Sequence, residues 1–482
     1  MQSFRAITLR CTSPVAHGTL ENVMQQCSFD FCASLGFKRH HFASLSEENQ
    51  PWFHSSDCSN GVYAGVDHTA LLPLDEEIIE SMRDCEALFM YIMIRKEYAR
   101  NISYARRKNL YLLHLRFWND FLIKNNINVF FSSILPHEMP DHIIYCLCKL
   151  KGIPTIFNHA TPMWDTAFLQ DDIEQSAIQI KERLDELNIE NSECVLSDEL
   201  EEYYIKQTQP IGEGAIIFPD KPRSRFSKFA SRILLAPGAL LHWIPTLFSA
   251  ATWARRVSKV QSAWMQTRLR KQYDSLAVEP DYNQKYIYFP LQFQPECSTC
   301  PMAGAFVDQH ISMHLLSQSI PNDVLIYVKE HPRQRKEGIA GRSLELYPEL
   351  ASMPNVRLMK HESNTFKLRE DCCAVATGTG TAGLEALFRE KPVLLFGHTF
   401  FQHAPGVFQI RTSTDCAKAS KAIFEDGKKP KLPEVRRFLK AVEDTRMHAS
   451  IAEWYLENMT KLSVEQSTQV FTDALVKRLK AL

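Results

Sequence analysis

Three short stretches in the second half of the chain carry residue types suited to holding an anion and moving a proton. Gly378-Thr379-Gly380-Thr381 follows an apolar run and opens a helix-like segment. Backbone N–H groups at such a turn converge on an anion, and a helix N-terminus adds about half a positive charge. Phosphate or diphosphate is the ligand this turn predicts. Lys329-Glu330-His331-Pro332 ends a second apolar run in an imidazole. Pro332 biases His331 toward an extended backbone and keeps its ring at the edge of a sheet. Gln292-Phe293-Gln294-Pro295-Glu296 follows a third run with two amides and a carboxylate. Glu296 there has the chemistry of a base, a nucleophile or a sugar-hydroxyl acceptor; the plainer alternative is turn chemistry around Pro295. In the first half, Pro136-His137-Glu138 and Asn158-His159 follow apolar runs of their own. His137 or Glu138 is able to take a proton from an acceptor group.

Each stretch needs a strand to present it. Lys285–Pro290, Val324–Lys329, Val356–Met359, Ala374–Thr377 and Val393–Phe396 read as short buried strands, with helices over Val307–Ser319 and Thr381–Arg389. Ala87–Ile94, Val129–Leu135 and Thr155–Asn158 read the same way, and Asp141–Lys151 reads as a helix stopped by Gly152. Buried strands alternating with helices predict an α/β fold of two doubly wound, Rossmann-like lobes facing a central cleft. Ligands bind at the carboxyl ends of such strands. The stretch from Ser450 onward is amphipathic at helical spacing and is expected to pack on the surface.

Gly378-x-Gly380-x-x-Gly383 also spells the dinucleotide fingerprint, which requires an acidic residue about 20 positions on. The next strand ends in Phe396-Gly397-His398-Thr399, and no carboxylate follows before Asp415. A dinucleotide oxidoreductase is therefore a weak reading. The sequence contains no Asp-x-Asp, P-loop or His-Glu-x-x-His motif, so no metal or other cofactor is implied.

With 482 residues, 45% of them hydrophobic and 23% charged, the chain has the composition of a folded two-domain protein rather than a disordered or fibrous one. Its 55 basic and 56 acidic residues nearly cancel, which argues against a nucleic-acid coat. Thirteen cysteines without a repeated zinc-type spacing read as reduced, apolar thiols. The first residues hold no apolar run of signal-peptide length, so a cytoplasmic protein is expected.

Between the lobes, Lys221 to Tyr273 holds eleven basic residues and no acidic one. They flank the uncharged run Ile233–Ala254, which contains Pro237, Trp243, Pro245 and Trp253. Its length suits a span, but the prolines and polar residues favour an element lying in the headgroup layer of an anionic membrane, or a buried inter-lobe helix. Peripheral attachment at the inner membrane is the expectation.

The order Gln292-x-x-x-Glu296, His331-Pro332, Gly-Thr-Gly-Thr, Gly383-Leu-Glu-Ala-Leu and Lys391-Pro-Val resembles bacterial capsule and surface-polysaccharide biosynthesis proteins, and within them the Kdo-transferase-type glycosyltransferases of the GT-B fold. The likeness covers about 285–400 and is loose in the first lobe. The alternation of elements divides the chain into a lobe over 1–215, the basic and apolar segment over 216–275, a second lobe over 276–445 and a C-terminal helix over 446–482; the resemblance implies that the first lobe is the acceptor side and the second binds the nucleotide sugar. Carried over by motif, His331, Pro332 and Gly378, Thr379, Gly380 and Thr381 would hold the nucleotide phosphate, Gln292 and Glu296 the donor sugar, and Glu385 a ribose or sugar hydroxyl. The implied donor is a nucleotide sugar such as CMP-Kdo, and the acceptor a polysaccharide or glycolipid. A sugar-nucleotide epimerase, a polyol-phosphate transferase and a non-catalytic membrane-associated assembly protein are the alternatives on the same fold.

Overall fold

The structure is a computed structural model that describes residues 3–95, 102–190, 194–209, 250–294, 296–337 and 341–482. Thirteen strands are found in it: β1 (Phe4–Leu9), β2 (Phe29–Gly36), β3 (Trp52–His54), β4 (Val129–Ser132), β5 (Thr155–Ala160), β6 (Thr166–Gln170), β7 (Lys285–Pro290), β8 (Val324–Lys329), β9 (Val356–Leu358), β10 (Ala374–Thr377), β11 (Val393–Leu395), β12 (Val407–Gln409) and β13 (Met447–His448). They form two sheets, ordered β13-β6-β5-β4-β1-β2-β3 and β12-β11-β10-β7-β8-β9. The second sheet is parallel throughout. In the first, β1 to β5 are parallel, and β6 and β13 add antiparallel edges. Counted within each lobe, the parallel arrays run 3-2-1-4-5 and 3-2-1-4-5-6, both in the doubly wound order with its reversal between the first and fourth strands. The predicted α/β fold with two Rossmann-like lobes is what forms.

Helices cover both faces of each sheet, as fully buried parallel strands require. In the first lobe, α1 (Pro14–Gln26) lies on one face, and α2 (Arg83–Ile92), α3 (Tyr104–Lys124) and α4 (Met139–Leu150) lie on the other. Ala87–Ile94 is therefore largely the body of α2 and not a strand. Its buried residues Cys85, Phe89 and Ile92 fall four and three apart, the spacing of one helix face. Short apolar runs do not separate strand from buried helix by themselves. Asp141 falls in the first turn of α4 behind Pro140, and Gly152 follows the helix with φ +67°.

The chain passes from lobe to lobe more than once. Helices α5 (Ile178–Glu190) and α6 (Asp198–Thr208) precede the second sheet in sequence, yet they pack Leu184, Leu187 and Leu200 against Phe438 and Leu439 of α11 (Leu432–Thr445). The other face of that sheet is covered by α7 (Ala250–Leu276) and α8 (Gln309–Ser319), with α9 (Pro332–Glu337) and α10 (Thr381–Leu387) following β8 and β10. After α11 the chain returns to the first lobe. There β13 extends the sheet, a short α12 (Glu453–Asn458) follows, and α13 (Val464–Lys480) buries Phe471, Leu475 and Leu479 against Val15, Leu20 and Val23 of α1. Each such side chain is worth about 1.5–3 kcal/mol over its exposed state.

Among the described residues, no helix is long and apolar enough to cross a membrane. The uncharged run Ile233–Ala254 lies, up to residue 249, outside the described residues.

Candidate active site

The three motifs of the second half sit on three adjacent strands. β7 is flanked by β8 and β10, and β7 and β10 are the pair between which the winding reverses. Pro290 pairs with Lys329, and Ala374 with Ile287, so all three strands end at one level. Beyond that level a mesh of glutamines holds the tips together. Gln309, at the start of α8, accepts the Gln292 N–H at 2.7 Å and donates to the Gln292 carbonyl at 3.1 Å. The Gln292 side chain then turns to the β10 tip. Its Oε1 accepts the Thr379 N–H at 3.0 Å, and its Nε2 donates to Thr379 Oγ1 at 3.1 Å. This closeness explains Gly378, where a Cβ would stand 2.2 Å from Gln292 Oε1.

The same bonds alter the expected anion cradle. The N–H of Thr379 is engaged by Gln292, and that of Gly380 donates to Thr377 Oγ1 at 3.0 Å. Gly383 N–H bonds back to the Gly380 carbonyl. The first amides of a helix have no partner within it, and those of Thr381 and Ala382 stand in the first turn of α10. Glu385 is buried in α10 and ion-paired with Arg369, so its carboxylate is turned to the protein's own guanidinium rather than to a ligand.

At the β8 tip the sequence places two acid–base groups side by side, and they separate in role. Glu330 is 4% exposed. It receives Arg342 through two bonds of 2.7 and 3.0 Å, the Tyr347 hydroxyl at 2.6 Å and the His331 N–H at 2.7 Å. Burial opposes ionisation, but Arg342, Tyr347 and His331 together hold its carboxyl below the ordinary value. Arg342 also donates to Gln294 Oε1 at 2.5 Å and the Gln292 carbonyl at 3.0 Å. One buried ion pair thus ties the β8 tip to the β7 tip.

His331 is partly exposed above this network. Its Nδ1 accepts the Arg333 N–H at 3.2 Å, which in the neutral ring leaves the proton on Nε2. The ring lies 5.8 Å from that of Phe293, and the Arg333 guanidinium covers the Phe293 face at 4.5 Å. Arg333 pairs with Glu296 at 2.8 Å. The β7 and β8 tips therefore offer an imidazole donor, a guanidinium and the Glu296 carboxylate together at the rim.

In the first lobe, His137 and Glu138 follow β4, next to the winding reversal between β1 and β4. His137 Nδ1 lies 2.6 Å from the Leu135 carbonyl and must donate to it, so Nε2 carries the lone pair, 3.8 Å from Glu138. Burial, then the nearby Arg95, pushes the imidazole down to about 4, so it is neutral at pH 7. Arg95, which follows α2, donates to the His137 carbonyl and to the Cys300 carbonyl of the second lobe. Burial pushes the Cys297 thiol up to about 12, with Glu296 and Glu138 adding to that shift. Asn158 donates to the Ser133 carbonyl and His159 bonds to Ser176, and both are buried.

Tyr455 of α12 is a residue the sequence reading did not single out. Burial pushes its hydroxyl up to about 12, with Cys297 and Glu296 contributing. The C-terminal return of the chain brings it there, and no local motif announces that.

The strand orders define a two-lobed α/β protein built on two Rossmann-like sheets. Residues 241–423 match the family described as capsule polysaccharide biosynthesis protein, and the resemblance drawn from the motifs is borne out over that span. No curated protein matches the chain. Among solved structures, a β-Kdo 2,7-transferase, KpsC of Thermosulfurimonas dismutans, is 12% identical, with 80% of this chain and 96% of that one covered at a TM-score of 0.28. A glycosyltransferase from Rickettsia africae is 9% identical, with 100% and 99% covered at 0.25. The UDP-GlcNAc 2-epimerase of Methanocaldococcus jannaschii is 10% identical, with 92% and 100% covered at 0.25.

Proposed function

We propose that the protein is a glycosyltransferase of capsule or surface-polysaccharide synthesis, moving a sugar from a nucleotide donor to a polysaccharide or lipid-linked acceptor. The observation that supports this best is that His331, just past β8, and the first turn of α10, just past β10, flank the β7 tip with its Gln292, inside the span that matches the capsule family. Two strand spacings separate the β8 and β10 backbones by about 10 Å, a gap that an imidazole and one phosphate group can bridge.

In this reading, cleavage of the sugar–phosphate bond puts negative charge on the leaving oxygen and oxocarbenium character on the sugar. His331 Nε2–H and the first-turn amides of α10 take up the phosphate charge from fixed positions, which is worth more than the same donors in water. Arg333 lies at the same rim. Glu296 faces the donor sugar, and His137 Nε2 or Glu138 accepts or orients the acceptor hydroxyl. The segment 297–307, whose Cys300, Met302 and Val307 sink into the first lobe's core, keeps the two halves of the site in register.

CMP-Kdo is the donor that the motif resemblance implies, and it is the first to try. The chain docks on the anionic inner leaflet through the basic, apolar segment. In support, Val257, Val260 and Trp264 are exposed on α7, three and four residues apart, and Arg268 covers the Trp264 ring at 4.7 Å. The test is transfer from radiolabelled CMP-Kdo, and then from UDP- and GDP-sugars, to isolated lipid-linked glycan. Isomerised donor formed without acceptor, or no turnover of any donor, would overturn the proposal.

A further inference from the structure

Away from the cleft, two helices of the first lobe bring together three groups that the proposed chemistry does not use. His142 and Cys146 stand one turn apart on α4, and Cys85 faces them from α2. One ligand atom from each lies within 4.8 Å of the other two, and His142 Nε2 is 3.6 Å from Cys146 Sγ. Zinc–sulfur bonds of about 2.3 Å and zinc–nitrogen bonds of about 2.0–2.1 Å at the tetrahedral angle put such atoms about 3.6 Å apart. Cys85 and His142 are buried, while Cys146 keeps an exposed edge. The His142 Nε2 faces the Cys146 sulfur at 3.6 Å, and the other side of the ring lies against the Pro136 backbone carbonyl, the kind of outer contact that fixes a ligating imidazole.

We propose that Cys85, His142 and Cys146 bind one zinc ion, with water at the fourth position on the exposed side of Cys146. Binding breaks two S–H bonds, forms two Zn–S bonds and releases two protons, with no change of oxidation state. Two thiolates, a neutral imidazole and Zn²⁺ sum to zero charge, which suits an apolar surrounding. The ion keeps one open position. It fastens α2 to α4, and Arg95, just beyond α2, holds the His137 and Cys300 carbonyls across the lobes. The sequence motifs implied no metal anywhere in the chain; here the third ligand comes from a separate helix, so no compact spacing spells the set.

The experiment is elemental analysis of the full chain, purified under reducing conditions and dialysed against metal-free buffer, followed by addition of cobalt alone. About one zinc per chain is expected, released only when thiols are blocked, together with a thiolate-to-cobalt charge-transfer band. Cys146→Ala and His142→Ala are expected to retain less than a tenth as much zinc, and Cys148→Ala, a buried thiol on the same helix, as much as the wild type. A wild-type chain that holds no zinc and gives no cobalt band overturns the proposal, without reliance on any variant. So does undiminished zinc in the two ligand variants, or a Cys85–Cys146 disulfide found by mass mapping.

Discussion

The side-chain amide of Gln292 grips Thr379 at two points, accepting its N–H at 3.0 Å and donating to its hydroxyl at 3.1 Å. The tip of β7 thereby sets the conformation of the turn after β10. Two net hydrogen bonds are worth about 1–3 kcal/mol together. Gln292→Ala is expected to lower stability by that amount in urea unfolding and to weaken nucleotide binding further, since the turn loses its shape. Unchanged unfolding and binding would deny the clamp any role.

Gly378 gives a sharper test of the same contact. A Cβ there meets Gln292 Oε1 at 2.2 Å, so Gly378→Ala is expected to cost about 1–3 kcal/mol by overpacking. In a Gln292→Ala background the clash disappears, and the cost should fall by at least about 1 kcal/mol. Strictly additive effects in the double-mutant cycle would show that the two residues do not meet.

The Arg342–Glu330 pair lies beneath the site, with both side chains nearly inaccessible. Removing one partner of a buried pair leaves an uncompensated charge and costs about 3–5 kcal/mol. Arg342→Ala is therefore expected to destabilise the second lobe by about that much, and Arg342→Ala with Glu330→Gln by less. A single variant as stable as the wild type would contradict the buried pairing.

Much of this lobe was legible in the sequence. Lys285–Pro290, Val324–Lys329 and Ala374–Thr377 are apolar runs bounded by turn residues, and they are strands at those limits. What the sequence did not disclose is what lies between elements. The Gly-Thr turn reads as an anion cradle, but Gln292, more than eighty positions earlier, takes one of its amides. Glu385 reads as a ligand group until Arg369 is seen beside it. In the first lobe, Ala87–Ile94 misled because a helix buried on one face and rich in apolar residues looks like a strand over eight positions. Phe4–Leu9 and Phe29–Gly36, the central β1 and its neighbour β2, went unread; the helical character of the stretch after Ser450 was legible, but not β13 or the return of α13 onto α1 of the first lobe.

Acid pH should loosen the fold from two directions. Burial pushes His159 and His137, and burial with Arg411 pushes His398, down to about 4 from an ordinary 6.5. Between those values the unfolded chain binds more protons than the folded one, so stability falls as pH drops from about 6.5 toward 4. Glu330, held below its ordinary value, adds stability that is present above that value and lost on further acidification. Unfolding midpoints are expected to be flat from pH 7 to 8 and to decline below 6.5, less steeply in His159→Asn. A midpoint that rises between pH 6.5 and 5 would contradict these environments.

Membrane docking is tested by flotation with vesicles of anionic and of neutral lipid. Binding to anionic vesicles alone is expected, weakened by Arg255→Glu with Arg256→Glu and by Trp264→Ser, because each basic residue near such a surface adds about 1 kcal/mol. Equal binding of wild type and variants at low salt would count against the basic segment as the anchor.

Nucleotide phosphate held between the tips of β8 and β10 is measured directly by calorimetric titration of the full chain with CMP, UDP, GDP and CDP, alongside His331→Ala. The expected result is saturable binding of one of these nucleotides by the wild type, weakened at least tenfold in His331→Ala at an unchanged unfolding midpoint. Equal affinity in the variant, or no binding of any nucleotide by the wild type, would contradict it.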